Sequence, residues 1–82
     1  MIRVVVILFA RARDLAGPGP LALELPDGAT VEALRSALAS RWPALWASLP
    51  RCAVAVNGEY AQDGQALADG DEAAVLPPVS GG

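Results

Sequence analysis

The chain contains neither histidine nor lysine. Without histidine, the most common general base at neutral pH is missing. The missing lysines have two readings. They protect a chain with an activated carboxyl terminus from acylating itself, or they follow a source bias toward Ala, Arg, Gly and Pro; the composition favours the second. All six basic residues are arginines (Arg3, Arg11, Arg13, Arg35, Arg41 and Arg51), dispersed in a chain of net charge −3. They have no aromatic residues interleaved, so no nucleic-acid partner is expected. The single cysteine, Cys52, excludes an internal disulfide and a cysteine-built zinc cluster. Beside a strand it reads as a small buried hydrophobe. Long apolar runs are also missing. The longest, Val4 to Ala10, is far too short to cross a bilayer, so no membrane partner is expected. Met1-Ile2-Arg3 leads straight into that run without a small-residue cleavage site, which argues against a secretory signal and for a cytoplasmic protein.

What is present suits one compact domain. The hydrophobic fraction is 54% and the charged fraction 18%, a balance that supports a core and argues against disorder. At 82 residues the domain lies near the lower end of what folds without staples. Ile2 to Ala10, β-branched and apolar almost throughout, reads as a central strand buried on both faces. Asp14 to Pro20 is a Gly/Pro-rich connection, and Leu21, Leu23 and Leu25 alternate with Ala22 and Glu24 as a half-buried strand. The two strands make a hairpin. Thr30 is placed to cap a helix carrying Glu32 in its first turn, with Val31, Leu34, Leu38 and Trp42 on one stripe. Pro43 ends that helix, and a short second turn is expected over Ala44 to Leu49, with Trp46 and Leu49 turned inward.

Ala53 to Val56 reads as a third strand, and Asn57-Gly58 is a strong two-residue turn signal. Glu59-Tyr60-Ala61 makes a short partner. Asp63-Gly64 turns the chain, Leu67 begins a closing segment, Asp69-Gly70-Asp71 turns it again, and Glu72 to Leu76 is the last strand. One helix across one mixed sheet of four to five strands, in the order β-β-α-β-β, predicts an α+β β-grasp, ubiquitin-like roll. The first and last strands then lie parallel at its centre, joined by a crossover. Residues 1–76 form the domain and 77–82 a flexible C-terminal tail.

The interior offers no catalytic constellation: no Ser/His/Asp set, no Cys/His pair and no carboxylates at metal-ligand spacing. Asp69, Asp71 and Glu72 read as a turn with a solvated acidic surface, since they are too few for a calcium site. Gly17-Pro18-Gly19 lacks the Lys-Ser/Thr of a P-loop, so the chain itself is not expected to bind ATP. The remaining reactive group is the carboxylate of Gly82, at the tip of Pro77-Pro78-Val79-Ser80-Gly81-Gly82. The diproline stiffens the stalk, and two glycines let the tip pass down a narrow channel. Extended, these six residues reach about 20 Å. A carboxylate is a poor electrophile until its oxygen becomes part of a leaving group. Adenylation supplies AMP for that role, and a sulfur donor can then displace it.

Four segments carry a family resemblance over essentially the whole length. They are Phe9-Ala10-Arg11-Ala12-Arg13-Asp14, Thr30-Val31-Glu32-Ala33-Leu34, Ala55-Val56-Asn57-Gly58, and Leu67 through the Pro77-Pro78-Val79-Ser80-Gly81-Gly82 end. The chain resembles the ubiquitin-like sulfur carriers, and among them the small subunits of molybdopterin synthase more than ubiquitin or the shorter thiazole-pathway carrier. The resemblance implies that Gly82, with Gly81 behind it, is adenylated by an E1-like enzyme using ATP, then sulfurated to a thiocarboxylate. It implies insertion of the tail into a large catalytic subunit, in a heterotetramer of two small and two large subunits. There the sulfur would attack cyclic pyranopterin monophosphate, building the dithiolene that later holds the metal. On this likeness the small subunit is not itself an enzyme and binds no cofactor or metal. Its docking face maps here to Phe9, Leu67, Leu76, Pro77 and Val79, with Pro78 and Ser80 in the inserted tail. Arg13 stands at the motif's basic position, as a partner contact or an internal loop anchor. Leu76 departs from the family, which often has an aromatic there. The alternatives are a carrier for thiazole, cysteine or tRNA thiolation, a ubiquitin-like modifier joined to target lysines, and a β-grasp binding module with an incidental Gly-Gly end.

Overall fold

A computed structural model describes residues 1–8, 19–43 and 52–76. Among the described residues, five strands and one helix follow in the order β1 (Ile2–Leu8), β2 (Leu21–Leu25), α1 (Val31–Arg41), β3 (Ala53–Val56), β4 (Glu59–Ala61) and β5 (Glu72–Leu76). They build one sheet in the spatial order β2-β1-β5-β3-β4. β1 pairs antiparallel with β2, from Ile2 opposite Leu25 to Val6 opposite Leu21. It pairs parallel with β5, from Val5 opposite Glu72 to Leu8 opposite Val75. β3 runs antiparallel to both β5 and β4. With one helix crossing a mixed sheet whose first and last strands are parallel neighbours, the fold is the expected β-grasp, ubiquitin-like roll. β5 is its central strand.

The helix begins where the sequence places it, and its start is held by an external loop. Thr30 Oγ1 accepts from the Ala33 amide at 3.3 Å, as an N-cap should. The Val31 and Glu32 amides, which have no intrahelical acceptor, donate to the carbonyls of Gln65 (3.0 Å) and Asp63 (3.0 Å). The β4–β5 connection thus completes the cap, and its Leu67 amide returns to the Ala29 carbonyl at 2.8 Å. At the other end Trp42 donates to the Leu38 carbonyl, Arg41 lies 5.6 Å from the Trp42 ring centroid, and Pro43 follows.

One face of α1, carrying Val31, Leu34, Leu38 and Ala39, is buried against the sheet; Trp42 is half-buried at its edge. Facing it from the strands are Val4 and Val6 of β1, Leu23 of β2, Val54 of β3, and Ala73 and Val75 of β5. The second helical turn expected over residues 44–49, with Trp46 and Leu49, lies outside the described residues.

β1 is not buried on both faces. Ile2, Val4, Val6 and Leu8 are buried, while Arg3 is exposed and Val5 and Ile7 are half-buried. Its apolar character hid this alternation, because Val5 and Ile7 are as hydrophobic as their inward neighbours. Among the described residues one helix, α1, packs against the sheet, and it covers one face. Between β3 and β4 the Asn57-Gly58 turn has φ of 51° and 86°, the left-handed pair that an Asn-Gly hairpin favours.

Candidate functional site

β5 brings the chain to the tail through the middle of the sheet. Leu76 is paired with Ala53 of β3, and Val75 stands between Val54 and Leu8. Val75 is therefore held by a strand on each side and packs in the apolar core, while Leu76 after it is paired with β3. Parallel pairing with β1 puts Leu8, the residue before Phe9, at the same end of the sheet as Leu76. Phe9, Arg13, Pro77, Pro78, Val79, Ser80, Gly81 and Gly82 themselves lie outside the described residues.

The sheet face turned away from α1 changes character along its length. At the end distant from the tail stand Arg3 and Glu24, 3.6 Å apart, with Glu72 beside Val5. Nearer the tail the register aligns Ile7, Ala74, Ala55 and Tyr60 across four strands, followed by Ala53 beside Leu76. Tyr60 is 74% exposed, whereas the others in this group are half-buried. An apolar strip thus leads to the place where the tail departs. Such a strip, bounded by charge, has the character of a protein-docking surface.

Of the expected docking residues, Leu76 lies on this strip. Leu67 does not: it is 5% exposed and belongs to the core. The hydrogen bond from its amide to the Ala29 carbonyl holds the β4–β5 connection against the helix start. Ile7, Ala55, Ala74 and Tyr60 escaped the sequence reading, which treated β1 as two-sided and Tyr60 only as part of a short partner strand.

The acidic turn is occupied with its own backbone. Asp69 Oδ1 accepts from the Arg3 amide at 2.7 Å, and Asp71 Oδ2 accepts from the Ala68 amide at 2.8 Å. Asn57 Nδ2 donates to Asp71 Oδ1 at 2.9 Å, while Asn57 Oδ1 accepts from the Glu72 amide at 3.0 Å. The Ala68 amide, and after it the Asn57 side chain, hold the Asp71 carboxyl below the ordinary carboxylate range. These bonds clasp the β3–β4 turn to the start of β5, at the end of the sheet opposite the tail. No cluster of three potential metal ligands occurs among the described residues.

Cys52 sits near the tail's root, one residue before Ala53. It is 7% exposed, and burial pushes its thiol pKa up, against a smaller opposing influence of Arg35. Arg35 of α1 fixes the surrounding backbone. Its Nη2 donates to the Cys52 carbonyl at 2.8 Å, and its Nε donates to Asp63 Oδ1 at 2.9 Å.

Residues 6–82 match the ThiS family. The chain belongs to that family. Within it, the chain is 43% identical over 82 residues to the molybdopterin synthase sulfur carrier subunit of Chlamydomonas reinhardtii, covering 98% of this chain and 99% of the relative. The ThiS-family chain also matches the structure of a putative molybdopterin converting factor, subunit 1, from Pyrococcus furiosus. That match has a TM-score of 0.88 at 34% identity and covers 96% of this chain and 100% of the other. Against Haloferax volcanii small archaeal modifier protein 1 the TM-score is 0.86 at 33% identity, with the same coverages. A further match is to a complex of subunits 1 and 2 of molybdopterin-converting factor from Helicobacter pylori. Its TM-score is 0.69 at 27% identity, covering 99% of this chain and 100% of the other. As a ThiS-family β-grasp this chain is thus similar to proteins named as carriers, as a modifier and as one member of a two-subunit complex.

Proposed function

We propose that this chain is the sulfur-carrier subunit of a molybdopterin synthase, holding sulfur as a thiocarboxylate on Gly82. The observation that carries the reading is the full-length similarity to a molybdopterin synthase sulfur carrier subunit, with the tail included in the family match. An E1-like enzyme uses ATP to join the Gly82 carboxylate to AMP. A sulfur donor then displaces AMP, leaving a nucleophilic sulfur on the protein. The large catalytic subunit receives the tail, and the sulfur attacks cyclic pyranopterin monophosphate to build the dithiolene. In this scheme the small chain is a non-catalytic donor, binds no cofactor, and works in the cytoplasm within a heterotetramer of two small and two large subunits. Gly81 keeps the tip slender, and Pro77, Pro78, Val79 and Ser80 form the inserted stalk.

The apolar strip beside the tail's root supplies a docking surface. Leu76, Ile7, Ala74 and Ala55 meet the large subunit there, and Phe9 and Arg13 extend the contact from the end of β1. Docking on a firm sheet face while the tail enters the partner's site limits the ordering cost to the tail itself. The test is intact-protein mass spectrometry after co-expression with a competent activating enzyme and a sulfur donor. A mass gain equal to replacing one oxygen by sulfur, located at Gly82, is the expected result. A wholly unmodified population would overturn the carrier reading.

A second reading, a ubiquitin-like modifier that forms amide bonds to target amines, is favoured by the similarity to the archaeal modifier protein. It uses the same activated Gly82. Stable conjugates with other proteins in place of transfer to a pterin would select it.

A further inference from the structure

We infer that Asn57-Gly58 is a self-modification site, at which the Asn57 carboxamide closes onto the Gly58 nitrogen with loss of ammonia, and that the contact with Asp71 holds this reaction in check. The reaction is independent of the chemistry assigned to Gly82 and involves only the β3–β4 turn and the start of β5. Both reacting residues are exposed, so water reaches the site and ammonia leaves it freely. Gly58 has no side chain to shield its nitrogen. Beyond its chain neighbours, no heavy atom lies within 4 Å of where a Cβ would stand. β4 has three residues and lies at the edge of the sheet, so the turn before it opens more readily than the centre.

In the first step the Gly58 nitrogen gives up its proton and attacks Cγ of Asn57. A carbon–nitrogen bond forms, the bond from Cγ to Nδ2 breaks, and Nδ2 leaves with the proton as ammonia. Water then opens the five-membered imide at either carbonyl. One opening gives aspartate; the other reroutes the main chain through the side chain and gives isoaspartate. Both steps are redox-neutral, and water is the only co-reactant.

The folded turn opposes ring closure through its backbone and through its side chain. Asn57 and Gly58 have φ of 51° and 86°, the left-handed pair. In that region ψ is about +47°, which sets Cβ of an L-residue nearly opposite the next nitrogen, whereas the ring requires the two to be eclipsed. Asn57 must therefore leave its turn conformation to react. Three bonds keep it there. Its amide donates to the Glu72 carbonyl at 2.8 Å, Oδ1 accepts from the Glu72 amide at 3.0 Å, and Nδ2 donates to Asp71 Oδ1 at 2.9 Å. Asp71 Oδ2 is itself fixed by the Ala68 amide at 2.8 Å. The bond to Asp71 is charge-assisted, which makes it the strongest lock on the carboxamide. Reaction destroys that lock. Aspartate formed at this position sets a second carboxylate where Nδ2 stood, against Asp71, and isoaspartate adds a main-chain carbon to a two-residue turn. Neither product restores the clasp, so the reaction loosens the β3–β4 hairpin from β5 and marks the chain permanently.

In the experiment, full-length chain is incubated in neutral buffer. Conversion at Asn57 is followed by intact mass and peptide mapping, and isoaspartate is counted with an isoaspartyl methyltransferase. Asp71→Ala is expected to convert at least about ten times faster than the unaltered chain, the factor that loss of one charge-assisted hydrogen bond corresponds to. Leu23→Val, which weakens the core at the far edge of the sheet, should convert at the unaltered rate. Asn57→Asp should unfold at a lower urea concentration than the unaltered chain. If Asp71→Ala shows no unfolding transition, Asp71→Asn replaces it, keeping the shape while removing the charge, with the same order of rates expected. Equal rates in the Asp71 variant and the unaltered chain would overturn the inference. So would an acceleration by Leu23→Val as large as that of the Asp71 variant, since general loosening would then suffice, or an unmoved unfolding midpoint in Asn57→Asp.

Discussion

At the residue scale, two side chains do more than their sequence neighbourhood announces. Arg35 is one of six dispersed arginines, yet it joins α1, the start of β3 and the β4–β5 connection. Its side chain is only 17% exposed, while Asp63 is 57% exposed. Removing the guanidinium leaves Asp63 in water but leaves the Cys52 carbonyl without that donor. The Arg35→Ala variant should therefore lose about 1–3 kcal/mol of stability, mostly from the carbonyl rather than the exposed ion pair. Urea unfolding measures it; an unchanged midpoint would show that the bridge contributes nothing. Asp71 gives a pH dependence. Because its folded pKa is lowered by the Ala68 amide and Asn57, its stabilising contribution is present above the unfolded value of about 3.9. It is lost as pH falls through the lowered folded value. Asp71→Asn should flatten this acid limb in denaturation curves collected at successive pH values. An unaltered slope would remove Asp71 from the linkage.

At the scale of elements, much of the molecule is legible in the sequence. Thr30 as a cap, the Val31–Leu34–Leu38 stripe and the Asn57-Gly58 turn all rest on local chemistry, and all three stand where that chemistry puts them. The alternation in β2 is equally plain because Glu24 interrupts an otherwise apolar strand. β1 has no such marker after Arg3, so which of its apolar residues turn away from the core emerges only from the packing of α1 on one face of the sheet. Leu67 was misplaced for a different reason. The family likeness assigned it to the docking face, whereas it is 5% exposed and packs in the core. The open strip gives this scale its prediction. Leu76→Arg should weaken binding to the large subunit while leaving the thermal unfolding transition in place, since Leu76 is half-buried rather than central to the core. Calorimetry checks this, and undiminished affinity would remove Leu76 from the docking face.

For the whole molecule, the arrangement separates stability from reactivity. Core packing, the completed helix cap and the Asn57–Asp71 clasp all lie within residues 1–76, and the chemistry assigned to the chain lies at residue 82. Core and tail should respond differently to mutation. Leu34→Ala removes a fully buried side chain beneath the sheet and should cost about 2–5 kcal/mol, read from chemical unfolding. Deleting Gly82 should leave the unfolding transition intact and abolish sulfur transfer. The role proposed for the tail rests on its Pro-Pro and Gly-Gly pairs. The surface that presents it was not legible in the sequence, because that surface is assembled from residues on four strands brought into register by the fold.

The most direct measurement follows the sulfur itself. Chain carrying the Gly82 thiocarboxylate is mixed with the large subunit and cyclic pyranopterin monophosphate, and protein and pterin masses are followed together. The account predicts that the chain returns to its carboxylate mass as the pterin gains sulfur in matching amount. A thiocarboxylate that persists unchanged while the pterin acquires sulfur from another source would contradict it.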